Sequence, residues 1–265
     1  MVSEDDPLAH GTRRQEDRVR SAYHALFNAW GAQHWWPART RFEVIVGAYL
    51  TQNTAWINVE LALANLREAK ILSVSGIRRV PLPELEQMIR PSGYFRQKAA
   101  RLKLFVGFLD RKYRGSLTRM FAQTTSQLRE ELLRLNGIGP ETADSILLYA
   151  GNHPVFVVDA YTRRMLDRHG ILSHDADYED IRQLFERALP AIVDEPAATP
   201  KPRVELGIRG AAHEPSPMSS SRRTALAQVY NEMHGLMVGV GKNFCRKSRP
   251  HCDACPLQAD LPRPD

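Results

Sequence analysis

The segment Leu135–Ala150, LNGIGPETADSILLYA, constrains this chain more than any other. It reads as a helix, a tight Gly-Ile-Gly turn and a second helix. Gly137 and Gly139 suit a backbone path with positive φ, and without side chains they let a ligand come close to their amides. Pro140 suits the first position of the second helix, where a missing N–H costs least. The free amides at that helix start favour an anion, and a DNA phosphate is the anion they suit best. The run Val157-Val158-Asp159 follows, placing an acid just past an apolar stretch.

Around this segment the periodicity is helical. One face from about Arg13 to Trp30 carries Val19, Tyr23, Leu26, Phe27 and Trp30. An amphipathic helix is expected from Asn58 to Ala69, and others over about 83–90, 96–112, 125–134 and 224–241. The apolar run Phe42–Leu50 is too long for one strand. Few segments alternate as strands do, so the fold class is all-α. Residues 1–12 read as a disordered tail. From Asp194 to Arg223, five prolines, a serine run and the loss of periodicity predict a flexible insertion.

Composition narrows the class. With 265 residues and 43% hydrophobic content the chain has ample length for a core. No apolar run reaches the roughly 20 residues of a membrane span. The acidic start lacks the apolar stretch of a secretory signal, so a cytoplasmic, nucleoid-associated protein is expected. The net charge of +6 comes from 36 Lys plus Arg, of which only seven are Lys. Arginine binds phosphate in a bidentate manner, which suits a nucleic-acid partner; a GC-rich coding bias produces the same excess, and both readings stand.

The turn between two helices is the pattern of a helix-hairpin-helix. With Asp159 eighteen residues after Glu141, it resembles the helix-hairpin-helix DNA glycosylases of the endonuclease III superfamily. Residues 20–195 and 224–258 share the resemblance. Three blocks carry it: LTQNTAWINVE at 50–60, the hairpin with VVDAYTRR at 157–164, and the cysteine tail. GPETAD and TQNTAW look most like the branch that includes the 3-methyladenine glycosylase III group.

The resemblance implies roles for individual residues. Asp159 takes the place of the catalytic aspartate; glycosidic cleavage passes through an oxocarbenium-like state that a nearby carboxylate stabilises. An ordinary helix N-cap is the competing reading for this residue. Glu141 stands where bifunctional members carry a lysine that forms a Schiff base. A glutamate cannot do so, and no lysine lies between Lys112 and Lys201. Gln52 matches the residue that enters the gap left by a flipped base, and Tyr94 the wedge against the opposite strand. Gly137, Ile138, Gly139 and Thr142 of the hairpin would meet the DNA backbone. Trp35, Trp36 and Phe42 are candidates for stacking an extruded base, with core packing as the alternative, and Lys242 joins them in the base pocket. Cationic N-alkylated purines are attracted to such aromatic faces.

Cys245, Cys252 and Cys255 are the only cysteines. The resemblance implies a [4Fe–4S] cluster, but the fourth ligand position is Leu261. Asp260 or water as the substitute ligand, zinc with His251, and a metal-free loop remain open. Arg246, Lys247 and Arg249 between the first two cysteines form a basic loop able to contact phosphates.

Two helical domains flanking a cleft are therefore expected. One covers 40–154 and ends in the hairpin; 13–39 and 155–258 form the other, with 194–223 as the insertion. The function expected is a monofunctional DNA glycosylase that releases a damaged, alkylated base from double-stranded DNA and acts as a monomer. A bifunctional glycosylase/lyase and a non-catalytic hairpin DNA-binding protein are the alternatives. Pure binding needs no acid at position 159.

Overall fold

The stripe at Val19, Tyr23 and Leu26 forms the buried face of α1 (Pro7–Trp30), which packs on later helices of its own unit. The computed structural model describes residues 7–195 and 210–261, and every regular element among them is helical. They divide into two units: 7–37, 154–195, 210–215 and 222–261 form one, and 38–153 with 216–221 form the other. No helix among the described residues is long and apolar enough to cross a membrane.

The second unit is built around α2 (Arg41–Thr51), the apolar run of the sequence. Its residues Phe42–Leu50 are all buried, as expected of a helix that is apolar all round. Thr40 caps it by accepting the Glu43 amide at 3.1 Å. Buried Glu43 is ion-paired to Arg67. Around α2 lie α3 (Trp56–Glu68), α4 (Val74–Arg79), α5 (Leu82–Met88), α6 (Phe95–Tyr113), α7 (Leu117–Met120), α8 (Thr125–Leu133) and α9 (Pro140–Ser145). The π-helical turn Ile146–Ala150 continues α9 and packs, fully buried, on α2.

The first unit joins α1 to α10 (Ala160–Arg168), α11 (Tyr178–Ala188), α12 (Pro190–Val193) and α13 (Ala225–Asn243). Residues 155–158 are buried and belong to no helix, with Phe156 stacked on Phe185 at 4.1 Å. They lead straight into Asp159.

Two expectations need correction. The first helix begins at Pro7, inside the stretch read as a tail; residues 1–6 lie outside the described residues. Of the insertion expected at 194–223, residues 196–209 also lie outside them, but 210–223 is held in place. The Ala211 amide donates to Gln33 Oε1 at 2.7 Å and the Met218 amide to the Ala38 carbonyl at 3.1 Å. Ser216 and Ser219 exchange amide-to-hydroxyl hydrogen bonds of 2.8 and 3.0 Å. A serine run that satisfies its own backbone needs no helical periodicity to be ordered.

Candidate functional site

In the first unit Asp159 is the N-cap of α10. Its Oδ1 accepts the Thr162 amide at 2.8 Å and the Thr162 hydroxyl at 3.0 Å. Oδ2 lies 3.5 Å from His234 Nε2 on α13. The side chain keeps 13% of its exposure, so it is sheltered without being sealed. Burial alone would raise the carboxyl, but the His234 imidazole and the Thr162 donors outweigh it and hold Asp159 below its ordinary value. Capping and a charged, partly accessible oxygen thus coexist in one side chain.

Close packing of α10 against α13 sets this geometry. A Cβ at Gly241 would stand 2.0 Å from Tyr161 Cδ1, so the glycine gives the ring its place two residues after Asp159. Trp35 and Trp36 are both buried, at 7% and 6% exposure. Trp35 is ringed by His213 and His234, with centroids at 5.5 and 6.0 Å, and Lys242 Nζ lies 5.8 Å from its ring. The buried Trp35 Nε1 has no acceptor among the described residues. Phe42 is a buried residue of α2 in the other unit.

In the second unit the hairpin is α8, a turn and α9. Gly137 has φ +82, and a Cβ there would meet the Arg101 guanidinium at 2.1 Å. Gly139 departs from expectation: its φ is −94, an extended N-cap before Pro140 at the helix start. The side chains of Ile138 and Thr142 are buried, the Ile138 amide donates to the Leu135 carbonyl at 3.1 Å, and the Thr142 hydroxyl accepts from Gln52. Glu141, by contrast, is exposed in the first turn of α9.

Gln52 Nε2 donates to the Gly137 carbonyl and to Thr142 Oγ1, both at 2.9 Å, and Arg101 Nη1 donates to Gln52 Oε1 at 3.2 Å. Tyr94 is 66% exposed with φ 45, a left-handed conformation uncommon for a bulky residue. Lys98 and Arg101, which sequence reasoning passed over, hold these loops; only a lysine and an arginine three apart on an amphipathic helix announced them.

The cysteine loop is tied to α10 by two arginines one turn apart. Arg164 Nε donates to the Cys245 carbonyl at 2.6 Å; Arg168 Nη1 donates to the Arg246 carbonyl at 2.8 Å and reaches Cys245 Sγ at 3.3 Å. Arg246, Lys247 and Arg249 are exposed. A small pocket open to solvent is lined by Arg168, Phe244, Cys245, Cys252, Cys255 and Leu261, among others. This lining does not fit a four-thiolate cluster. Leu261 offers no donor, a guanidinium stands against one thiol, and no group of three or more His, Cys, Asp or Glu among the described residues is arranged to hold a metal ion. His251 and Asp260 do not complete such a set.

Described residues whose regular elements are all helical, with a glycine hairpin between α8 and α9, define a helix-hairpin-helix protein. Residues 46–191 match the HhH-GPD superfamily of base excision DNA repair proteins, and the chain belongs to that family, in its endonuclease III-related branch. A Methanocaldococcus jannaschii protein provisionally assigned as a DNA repair glycosylase is 39% identical over 245 residues, 91% of this chain and 94% of its own. The H. pylori 3-methyladenine DNA glycosylase structure, bound to 1,N6-ethenoadenine, superposes with TM-score 0.65 at 30% identity, over 86% of this chain and 97% of that one. A trapped endonuclease III–DNA covalent intermediate shares the fold, with TM-score 0.67 at 21% identity over 93% and 95%. The chain is a DNA repair glycosylase, and DNA is its partner.

Proposed function

We propose that this glycosylase is monofunctional and hydrolyses the N-glycosidic bond of an alkylated base flipped out of duplex DNA. The Asp159 geometry carries the reading. One carboxylate oxygen is fixed by Thr162 while the other faces His234, and the group is held in its charged form. A fixed negative charge stabilises the sugar cation as the bond to the base breaks, and its free lone pairs orient and deprotonate the attacking water. An alkylated purine is already a cationic leaving group, so no strong general acid is required at the base.

Two further features support the substrate and the single activity. Trp35, with its buried Nε1–H lacking a protein acceptor, offers a flat face and one donor to an extruded base. Glu141 occupies the hairpin position where a lysine would form a Schiff base, and a carboxylate cannot form one. The relative of known ligand in H. pylori is a 3-methyladenine glycosylase, which agrees with the alkylated-base reading. Gln52 and Tyr94 fill the gap and wedge the opposite strand, and Arg246, Lys247 and Arg249 contact phosphates.

The test is base release from duplexes that each carry one lesion, combined with borohydride trapping on abasic DNA. Release of N-alkylated purines, intact abasic products and no covalent adduct are expected. Release confined to oxidised pyrimidines, or an adduct at enzyme-like yield, would overturn the proposal and make Lys242 the first residue to substitute.

A further inference from the structure

The side chain of Lys98, near the start of α6, is 1% exposed. Its ammonium donates three hydrogen bonds: to the Leu50 carbonyl at 2.8 Å, to Thr54 Oγ1 at 2.7 Å and to the Ser92 carbonyl at 2.7 Å. All three protons are used. Leu50 and Thr54 bracket Gln52, and Ser92 lies two residues before Tyr94. The Thr54 hydroxyl, which accepts from Lys98, stands within donating distance of both the Gln52 and the Ser92 carbonyls. One turn along α6, Arg101 holds Gln52 Oε1 and fills the space above Gly137.

This arrangement is costly for a group that only packs. Burial first, and then the nearby Arg101 charge, pull the Lys98 ammonium down to about 8. Its acceptors are all neutral, and a well-packed apolar side chain would carry a smaller desolvation penalty. What an apolar side chain cannot do is bind two separate loops at one point.

We propose that Lys98 is a positioning residue for base extrusion, its ammonium fastening the loop that carries Gln52 to the loop that carries Tyr94 so that both enter the duplex as one piece. The proposal rests on the reading that these two residues are inserted into DNA. Tyr94, exposed and in a left-handed conformation, then owes its direction to the Ser92 carbonyl held behind it. Gln52 owes its direction to the Leu50 carbonyl and Thr54 on one side and to Arg101 on the other. Base flipping requires plug and wedge to act together, because filling the gap offsets the unstacking cost only while the opposite strand is held apart.

The experiment compares wild type with Lys98→Met on a duplex carrying a tetrahydrofuran abasic analogue opposite 2-aminopurine. Insertion of the two side chains unstacks the reporter and raises its fluorescence. The variant is expected to bind this duplex nearly as well, while the fluorescence rise at saturation falls several-fold. Single-turnover release of a paired lesion should drop by about tenfold or more, the size of effect that small misplacements produce. Release of the same lesion from an unpaired bulge, where extrusion is already paid for, should be largely rescued. Thr54→Val, which keeps the ammonium but cuts one link, should fall between the two and serves if Lys98→Met does not fold. An undiminished fluorescence rise, or equal losses on paired and bulged lesions, overturns the role of Lys98. A wild-type protein that binds without any fluorescence rise overturns the insertion reading itself, and this proposal with it.

Discussion

At the scale of single residues, the placement of Asp159 at a helix start and of Glu141 in the first turn after the hairpin was legible, because the hairpin fixes where they fall along the chain. Their environment was not. His234 is far from Asp159 in sequence, and nothing in the pattern of a buried helix marks one histidine as the neighbour of a distant carboxylate. That neighbour has a measurable consequence. A carboxyl held below its ordinary value stays charged as the pH falls, so kcat/KM for base release should hold to lower pH than an ordinary carboxylate would allow. His234→Ala removes the largest of the influences that lower the carboxyl while leaving Thr162 in place. The acid limb of the pH profile should therefore move upward, and an unmoved limb would show that His234 does not tune the acid. Asp159→Asn keeps the cap but not the charge; it should lose ~10²–10³-fold or more in base release while still binding damaged duplex, as judged by single-turnover rates and Kd.

At the scale of elements, α1, α3, α5, α6, α8 and α13 follow the apolar periodicity with shifts only at their ends, while the equally amphipathic α11 was passed over. The shorter α4, α7 and α12 do not follow it, since well under two turns carry no period, and the apolar α2 has no polar face to reveal one. α10 was readable only as the element after Asp159. Its approach to α13 depends on Gly241, a contact that no single-helix pattern contains. Replacing a helical glycine with alanine stabilises by up to about 1 kcal/mol, and less in the last turn, where Gly241 lies. At Gly241 the new Cβ would stand 2.0 Å from the Tyr161 ring, and relieving such overlap costs typically ~1–3 kcal/mol. Overpacking wins over propensity here. Gly241→Ala should lower the denaturation midpoint and reduce base release by displacing the start of α10; a more stable, fully active variant would show that the two helices part without cost.

At the scale of the whole molecule, composition gives a net positive charge but not how individual charges respond to pH. Several carboxyls, Asp110 and Glu131 as well as Asp159, are held below their ordinary values, so their stabilisation is present near neutrality and is lost as the pH falls through the carboxylate range. His153 and His169 are pushed below the ordinary imidazole value, chiefly by burial, and so also destabilise the fold as the pH drops. Glu232 on α13 has the opposite sign. It is buried, accepts the Gln33 amide, and burial pushes its carboxyl up to about 7 despite that donor and the nearby Arg223. A group raised in the folded state stabilises below its unfolded value and loses that contribution as the pH rises, here between about 4.5 and 7. The loss is on the order of 3 kcal/mol as an upper bound, enough to cancel much of the gain from the histidines over the same window. Glu232→Gln keeps an oxygen to accept the Gln33 amide and removes the titration. Its Tm relative to wild type should climb steadily from pH 5 to pH 8, with the steepest change between 5 and 7. Parallel Tm curves for the two proteins across that range would mean that Glu232 does not titrate in the folded state as its burial requires.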